Sequence, residues 1–229
     1  MPLCVRHIYA IVIEMLKAHN LPIANTAVAF NRLYGRSTRP PWDVDGPAPF
    51  VLELAERNAI RGEVLDAGCG TGENALYLAE RGCRITAFDA APTAIEKARM
   101  KAAERGIDIA FEVADARHMP YGNARFATVI DSGLFHVMAR NADRMNYAEE
   151  LRRVSLPGSV LHLLAFKERG PRWVKRLGMS VRNFLFGIGT HGVSEEEIQG
   201  AFSTGWCIDS VEEKRYGWGT FLLAHIRRV

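Results

Sequence analysis

Residues 64–72 of the 229-residue chain are Val-Leu-Asp-Ala-Gly-Cys-Gly-Thr-Gly, an apolar run that leads directly into a glycine-rich turn. The apolar run predicts a short buried strand over 63–67, and the stretch after the turn predicts a helix over 73–81. Glycines permit a sharp turn and leave room for a ligand, and the amides that begin the next helix can bind it. A glycine cluster alone is a weak signal, but between a strand and a helix it indicates a nucleotide-type site.

Strands and helices alternate along the rest of the chain. This order predicts an α/β sandwich, doubly wound around a mostly parallel seven-stranded sheet. Two consecutive strands at the end, with no helix between them, predict an antiparallel C-terminal strand at one sheet edge. The predicted strands are 84–88, 107–113, 126–130, 159–166, 207–214 and 220–226, and the predicted helices are 50–58, 91–104, 142–154 and 194–202.

Composition is that of an ordinary globular protein, with 48% apolar and 24% charged residues. The net charge of +3 is too small to indicate a nucleic-acid partner. The apolar stretch 8–16 is interrupted by Glu14 and is too short to span a bilayer, so we expect an amphipathic helix over 5–16 and no transmembrane segment. With no targeting signal evident and no cysteine pair at zinc spacing, we expect a cytoplasmic protein with reduced thiols.

Acidic residues follow the predicted strands, at the edge of the sheet where ligands bind in open α/β folds. These are Asp66, Asp89, Asp115 and Asp131. Asp89 lies about 20 residues after the glycine turn, where a carboxylate can accept both ribose hydroxyls of an adenine nucleoside. Asp115 can accept the exocyclic amine of adenine. The alternatives are that Asp89 caps the following helix and that Asp115 caps its own loop.

The segment Asp131–His136 ends the fourth strand and carries the first candidate for a general base. His136 has an imidazole that titrates near neutral pH, with an ordinary pKa of about 6.5. His191 is the second choice, because it lies near the expected mouth of the site. A purely structural role remains an alternative for His136.

From about residue 40 to the C-terminus, these motifs resemble the class I (Rossmann-like) S-adenosylmethionine (SAM)-dependent methyltransferases. The matching motifs are 64–72, 85–89, 111–116 and 126–132, in the order and spacing of that family. The closing strand pair resembles the antiparallel final strand of the family. The motif 40–42 (Pro-Pro-Trp), together with 73–79, resembles a small-molecule branch that includes thiol, tellurite and benzoquinone methyltransferase-like proteins.

The resemblance implies SAM as cofactor, S-adenosylhomocysteine as product, and a role for each matching residue. The three glycines of the turn would line the amino-acid portion of SAM, Asp89 would hold the ribose, and Asp115 with Ala116 would contact adenine. Asp131 would face the methionine end and join His136 in catalysis. Trp42 would close over the cofactor, or else anchor its own loop. The full predicted cofactor-binding set is Trp42, Asp66, Gly68, Gly70, Thr71, Gly72, Asn74, Asp89, Ala90, Asp115, Ala116 and Asp131.

Two segments of the chain have no counterpart in the compact family pattern, and with them the sequence predicts the following domain organisation. Residues 1–45 would form an N-terminal helical extension and a cofactor-covering loop, and residues 46–229 the methyltransferase domain. Within that domain, 167–192 mixes basic and aromatic residues, which is typical of a lid over an apolar substrate pocket. A docked surface helix and a membrane-surface contact are the alternatives.

The expected reaction is methyl transfer to a small-molecule thiol, phenol or quinone-type hydroxyl. We expect no metal, because Phe-Lys-Glu-Arg at 166–169 differs from the Asp-Asn pair of metal-dependent relatives. We expect no nucleic-acid partner, because 131–134 lacks the Asn/Asp-Pro-Pro-Tyr motif of amino-group methylation. A nicotinamide-dependent oxidoreductase, a non-catalytic SAM-binding protein and an RNA or protein methyltransferase remain alternatives, and the oligomeric state is open.

Overall fold

The computed structural model of the chain describes residues 23–35, 39–40, 42–168, 192–217 and 219–229. The helix predicted over 5–16, the candidate base His191 and most of the lid-like segment lie outside these residues.

A seven-stranded sheet with strand order β3-β2-β1-β4-β5-β7-β6 forms the centre of the molecule. The first five strands are parallel, and β7 runs antiparallel to both of its neighbours. The predicted doubly wound α/β sheet with an antiparallel C-terminal strand is confirmed. The strands are β1 Val64–Ala67, β2 Ile85–Asp89, β3 Ala110–Val113, β4 Phe126–Ser132, β5 Ser155–Phe166, β6 Trp206–Tyr216 and β7 Gly219–Arg228.

Helices cover both faces of the sheet, and each face has its own apolar cluster. One cluster includes Leu65 and Val129 of the sheet with Leu151 and Ile198 of the helices. The other lies on the opposite face and includes Val64, Ile130, Phe50 and Leu76. Alternating strand residues therefore supply the two cores, as period-2 side-chain geometry requires. The helices are α1 Ile23–Tyr34, α2 Pro49–Glu56, α3 Glu73–Glu80, α4 Pro92–Arg105, α5 Asn141–Val154 and α6 Glu195–Ala201, with a 3₁₀ turn at Phe135–Val137.

Two strand boundaries differ from the sequence prediction. Strand β3 begins at Ala110 instead of 107, because the Ile107 N–H still closes α4 on the carbonyl of Ala102. Strand β5 begins at Ser155 instead of 159. The Pro-Gly pair at 157–158 lies within a bulge where the register against β4 shifts.

Helix α1 lies within residues 1–45, for which the sequence predicts a helical extension and a loop without separate bounds. It packs on α4, where Asn31 Oδ1 accepts the Thr93 N–H at 2.8 Å and Lys97 Nζ donates to the Tyr34 carbonyl at 2.6 Å. In the described part of the chain, no helix is long and apolar enough to cross a membrane.

Candidate functional site

The predicted motifs converge at the carboxyl ends of β1, β2 and β4. Ala67 at the end of β1 pairs with Phe88 on one side and Asp131 on the other. The glycine turn begins at the next residue and Asp89 ends β2, so the residues that follow these three central strands meet at one edge. This edge is where an open parallel sheet binds its ligand.

The three glycines of the turn have a left-handed backbone conformation, which residues with a side chain rarely adopt. Gly68, Gly70 and Gly72 have φ values of 71°, 54° and 85°. A Cβ on Gly70 would lie 2.9 Å from the Tyr34 hydroxyl, and one on Gly72 would lie 2.9 Å from the Phe111 ring. The turn therefore needs glycine both for its left-handed conformation and for the close approach of the chain's own residues.

Asp89 ties this turn to the start of α4. Its Oδ2 accepts the Gly70 N–H at 2.9 Å, and its Oδ1 accepts the Ala91 N–H at 2.8 Å. Burial raises the pKa of Asp89, and the backbone N–H groups oppose that shift. An ionised carboxylate has about four lone-pair sites, so these two bonds leave capacity for ribose hydroxyls. Ala90, also predicted to contact the cofactor, is half-buried between these anchored residues.

Asp66 is a fully buried carboxylate without a partner among the described residues. The Ala75 N–H faces it from the first turn of α3, but neither oxygen has normal hydrogen-bond geometry to a described group. Burial is the main cause that raises the pKa of Asp66 to about 7, with smaller contributions from Asp131 and Asp89. A buried carboxylate of this kind is stabilised by a cationic ligand. SAM carries both an ammonium and a sulfonium, so the donor set at this edge fits that cofactor.

Asp131 is fully buried and lies within the turn that follows β4. Its oxygens accept the N–H groups of Gly133, Leu134 and Phe135, and Tyr147 donates its hydroxyl to Oδ2 at 3.0 Å. Burial raises the pKa of Asp131 to about 6 despite these donors. The predicted catalytic carboxylate is thus occupied in shaping the loop that carries the 3₁₀ turn.

The predicted adenine contacts lie one strand further out. Asp115 accepts three hydrogen bonds from Arg117, and this guanidinium is the main cause that holds the pKa of Asp115 below its usual range. Arg117 also contacts Asp143 at 3.3 Å, which links Asp115 to α5. Ala116 is buried in the core. Asp115 retains about one lone-pair site for an adenine amine.

The side chains of Thr71 and Asn74, both predicted cofactor contacts, are taken up by the N-terminal loop. Thr71 Oγ1 donates to Asp43 Oδ1 at 2.5 Å and accepts from Lys101 Nζ at 2.8 Å. Asn74 Oδ1 accepts the Ala48 N–H at 2.8 Å. These bonds hold the loop before α2 against the glycine turn.

Trp42 packs on α1 at the same place. Its Nε1–H donates to the Tyr34 hydroxyl at 3.1 Å, and its ring meets Phe30 edge-on with centroids 5.6 Å apart. Trp42 therefore anchors its loop to α1 beside the turn. The sequence analysis missed Tyr34, although an aromatic pair spaced four residues apart, as Phe30 and Tyr34 are, is a recognisable signal of a buried helix face.

His136 lies in the 3₁₀ turn next to β5. Its Nδ1 accepts the Phe166 N–H at 3.3 Å, and its ring lies 6.0 Å from that of Phe166, centroid to centroid. A neutral imidazole that accepts at Nδ1 carries its proton on Nε2. In this arrangement Nε2 of a neutral His136 is a hydrogen-bond donor.

The lid-like segment leaves and rejoins the domain at one point beside His136. Glu168 donates its N–H to the carbonyl of Val193 at 3.0 Å, and Val193 returns a bond to the carbonyl of Phe166 at 2.7 Å. Residues 168 and 193, on either side of this segment, thus meet at the carboxyl end of β5. Among the described residues there is no cluster of three or more potential metal ligands.

Comparison with known proteins defines the class to which this fold and site belong. Residues 64–158, from β1 into β5, match the family model described as a methyltransferase domain. The 2-heptyl-1-hydroxyquinolin-4(1H)-one methyltransferase of Mycobacteroides abscessus is 39% identical over 181 residues, which cover 78% of this chain and 74% of that one. The chain belongs to the methyltransferase family and is a SAM-dependent methyltransferase.

Solved structures agree with this assignment. A structure described for the conversion of a disulfide bond into a thioacetal group during echinomycin biosynthesis is 35% identical, with a TM-score of 0.76, over 89% of this chain and 91% of that one. The 1,6-didemethyltoxoflavin-N1-methyltransferase of Burkholderia thailandensis, solved with S-adenosylhomocysteine, is 20% identical with a TM-score of 0.68, over 100% and 92% of the two chains. At that identity the second likeness establishes the shared fold.

Proposed function

We propose that this enzyme transfers the methyl group of SAM to a hydroxyl oxygen on a flat aromatic ring system. The observation that carries the proposal is a row of rings at the carboxyl edge of the sheet. The row runs from His136 to Phe166 and on to Phe221, whose ring centroid lies 4.6 Å from that of Phe166. Tyr216 continues it at 6.0 Å from Phe221. The hydroxyquinolone named as the acceptor of the 39%-identical relative is a compound of this kind.

The cofactor would sit on the glycine turn, with Asp89 holding the ribose and Asp66 balancing its positive charge. SAM supplies an electrophilic methyl group on a good leaving group. The protein then has to align the acceptor, exclude water and manage the acceptor's proton. In this assignment Asp131 is a positioning residue, because its bonds to the backbone fix the turn that presents His136.

The acceptor would bind as an oxyanion, with its oxygen receiving the Nε2–H of His136. The Phe166 amide supports this role, because a donor at Nδ1 favours the tautomer that gives a hydrogen bond at Nε2. His136 would thus orient the oxygen that attacks, while the acceptor loses its proton to solvent before transfer.

The pH dependence of kcat/KM distinguishes His136 as a hydrogen-bond donor to an ionised acceptor from His136 as a general base. Two aromatic acceptors whose hydroxyl pKa values differ by about two should show acid limbs that differ by the same amount, if the acceptor ionises on its own. The variant His136→Gln keeps a side-chain N–H donor. For each acceptor, its acid limb should lie at the same pH as in the wild type, with a lower rate. An acid limb that stays near pH 6.5 for both acceptors and disappears in His136→Gln would establish His136 as the base.

A sulfur acceptor is the second candidate, and the 35%-identical structure favours it because its described reaction occurs at a disulfide. A thiol ionises at a pKa of about 8.5 and needs little help to react. Incubation with an aromatic thiol and its matched phenol, followed by analysis of the methylated product, distinguishes the two. Faster methylation of the thiol would replace the oxygen assignment with sulfur.

A further inference from the structure

A small aromatic cluster joins helix α1 to the glycine turn. Tyr34 is buried against Ala91 and Ala94 at the start of α4, and Phe30 and Trp42 pack around it. Helix α1 is fixed there by the Asn31 side chain, which accepts the Thr93 N–H, and by the Tyr34 carbonyl, which accepts from Lys97 Nζ. Tyr34 is consequently held at a defined position and does not depend on its own side-chain contacts alone.

The Tyr34 hydroxyl is a buried donor for which the described residues offer no acceptor. The residue is only 5% exposed, and its oxygen accepts a hydrogen bond from Trp42. Among the described residues, no acceptor receives the phenolic proton. Burial is the main cause that raises the pKa of Tyr34, and the negative charges of Asp89 and Asp43 act in the same direction, so the group keeps its proton.

The position of this hydroxyl shows where its acceptor belongs. It lies 2.9 Å from the point that a Cβ on Gly70 would occupy, and the Asp89 carboxylate has the largest effect of any charged group on its pKa. Asp89 and Gly70 are bonded to each other, so Tyr34 faces the part of the turn where the proposed cofactor site lies. A buried polar hydrogen without a partner costs free energy that a ligand oxygen would recover.

We propose that Tyr34 is a cofactor-binding residue whose O–H donates to an oxygen of bound SAM, with Trp42 holding the phenol in place. The inference rests on the proposed placement of the cofactor at the glycine turn and Asp89. Two oxygen groups of the cofactor have the required chemistry, the methionine carboxylate and the ribose hydroxyls. Helix α1 thereby becomes part of the cofactor site and not an appendage to the domain.

The test is the dissociation constant of S-adenosylhomocysteine measured by isothermal titration calorimetry on the full-length protein. Tyr34→Phe should weaken binding about fivefold, the effect of one lost hydrogen bond in a buried site. Tyr77→Phe is the matched control, because Tyr77 lies on α3 with its ring under Arg81, 3.6 Å from the guanidinium carbon. The control should bind as the wild type does, and a Tyr34→Phe variant that also binds with wild-type affinity would overturn the inference.

Two further measurements separate the possible causes of a result. Methylthioadenosine has the nucleoside but lacks the amino acid, so a Tyr34→Phe defect seen only with S-adenosylhomocysteine assigns the carboxylate, and a defect with both assigns the ribose. Asp89→Ala tests the placement itself. Unchanged binding in Asp89→Ala would refute the site, whereas loss of binding there with full affinity in Tyr34→Phe would refute Tyr34 alone.

Discussion

At the scale of single residues, the central feature is a buried carboxylate that none of the described residues neutralises. Asp66 is enclosed beside Asp131 and Asp89, and its pKa is raised to about 7 mainly by burial. Such a group costs stability in the ligand-free protein. We propose that a positively charged part of the cofactor binds beside it. The acid is identifiable from sequence as part of the glycine motif, but its lack of a partner depends on the packing of three strands.

We therefore expect Asp66→Asn to stabilise the ligand-free protein while it weakens cofactor binding. The folded pKa of Asp66 lies above its ordinary value, so its contribution to stability is present at low pH and is lost as pH rises through about 7. At pH 8 the variant should melt about 2–4 °C higher for each kcal/mol recovered. Its affinity for S-adenosylhomocysteine should fall about tenfold with the lost charge pairing.

Thermal melting at pH 5 and pH 8, with calorimetric titration of S-adenosylhomocysteine, checks both halves of this prediction. Asp108→Asn is the control, because Asp108 is an exposed carboxylate beyond the end of α4. A destabilised Asp66→Asn variant that binds the cofactor normally would show that Asp66 serves the fold alone.

At the scale of elements, the pairing of β5 with β7 contains two facing histidines. His162 Nδ1 and His225 Nδ1 lie 2.6 Å apart across the antiparallel ladder, so one ring donates and the other accepts. Burial is the main cause that lowers the pKa of His162 to about 3, and the nearby His225 contributes in the same direction. Burial also lowers the pKa of His225. The charged groups that influence His225 are Glu212, Lys214, Arg57 and Asp209.

This pair should make the sheet sensitive to acid. A folded pKa below the ordinary value of 6.5 means that the unfolded chain binds more protons between about pH 3 and 6.5, so stability is full above that window and declines as pH falls. Each such proton contributes up to about 1.4 kcal/mol per pH unit. His162→Gln should flatten the loss of unfolding free energy between pH 6.5 and pH 5 in urea titrations.

The exposed His118 provides the comparison, since His118→Gln should leave that slope unchanged. A His162→Gln variant with the acid sensitivity of the wild type would assign the loss of stability to other groups. The sequence predicts the strand over 159–166 that contains His162, but the pairing of His162 with His225 depends on strand order, which no local pattern records.

At the scale of the whole molecule, the order of elements could be predicted from the sequence, whereas the contacts of the site could not. Hydrophobic period and glycine placement predicted all seven strands and the antiparallel end, because these patterns are local. The bond between Thr71 and Asp43 and the approach of Tyr34 to Gly70 join residues far apart in sequence. They depend on how the N-terminal loop folds back over the turn, and spacing along the chain carries no sign of that.

The junction at residues 168 and 192 allows the lid proposal to be tested without disturbing the fold. Because the two ends already meet through the bond between Glu168 and Val193, a short Gly-Ser linker can replace residues 169–191. We expect this deletion to keep wild-type affinity for S-adenosylhomocysteine and to lose at least about tenfold in turnover of an aromatic acceptor. Full turnover with the segment removed would assign it a role outside the reaction.

The proposed methyl transfer to an aromatic hydroxyl is tested most directly by finding which acceptors yield S-adenosylhomocysteine. Purified protein and SAM should be incubated with a hydroxyquinolone, a simple phenol, a reduced benzoquinone and an aromatic thiol, and S-adenosylhomocysteine release should be followed for each. The account predicts the fastest release with the hydroxyquinolone and a product methylated on oxygen. Release that is fastest with the thiol, or absent with every aromatic hydroxyl compound, would contradict it.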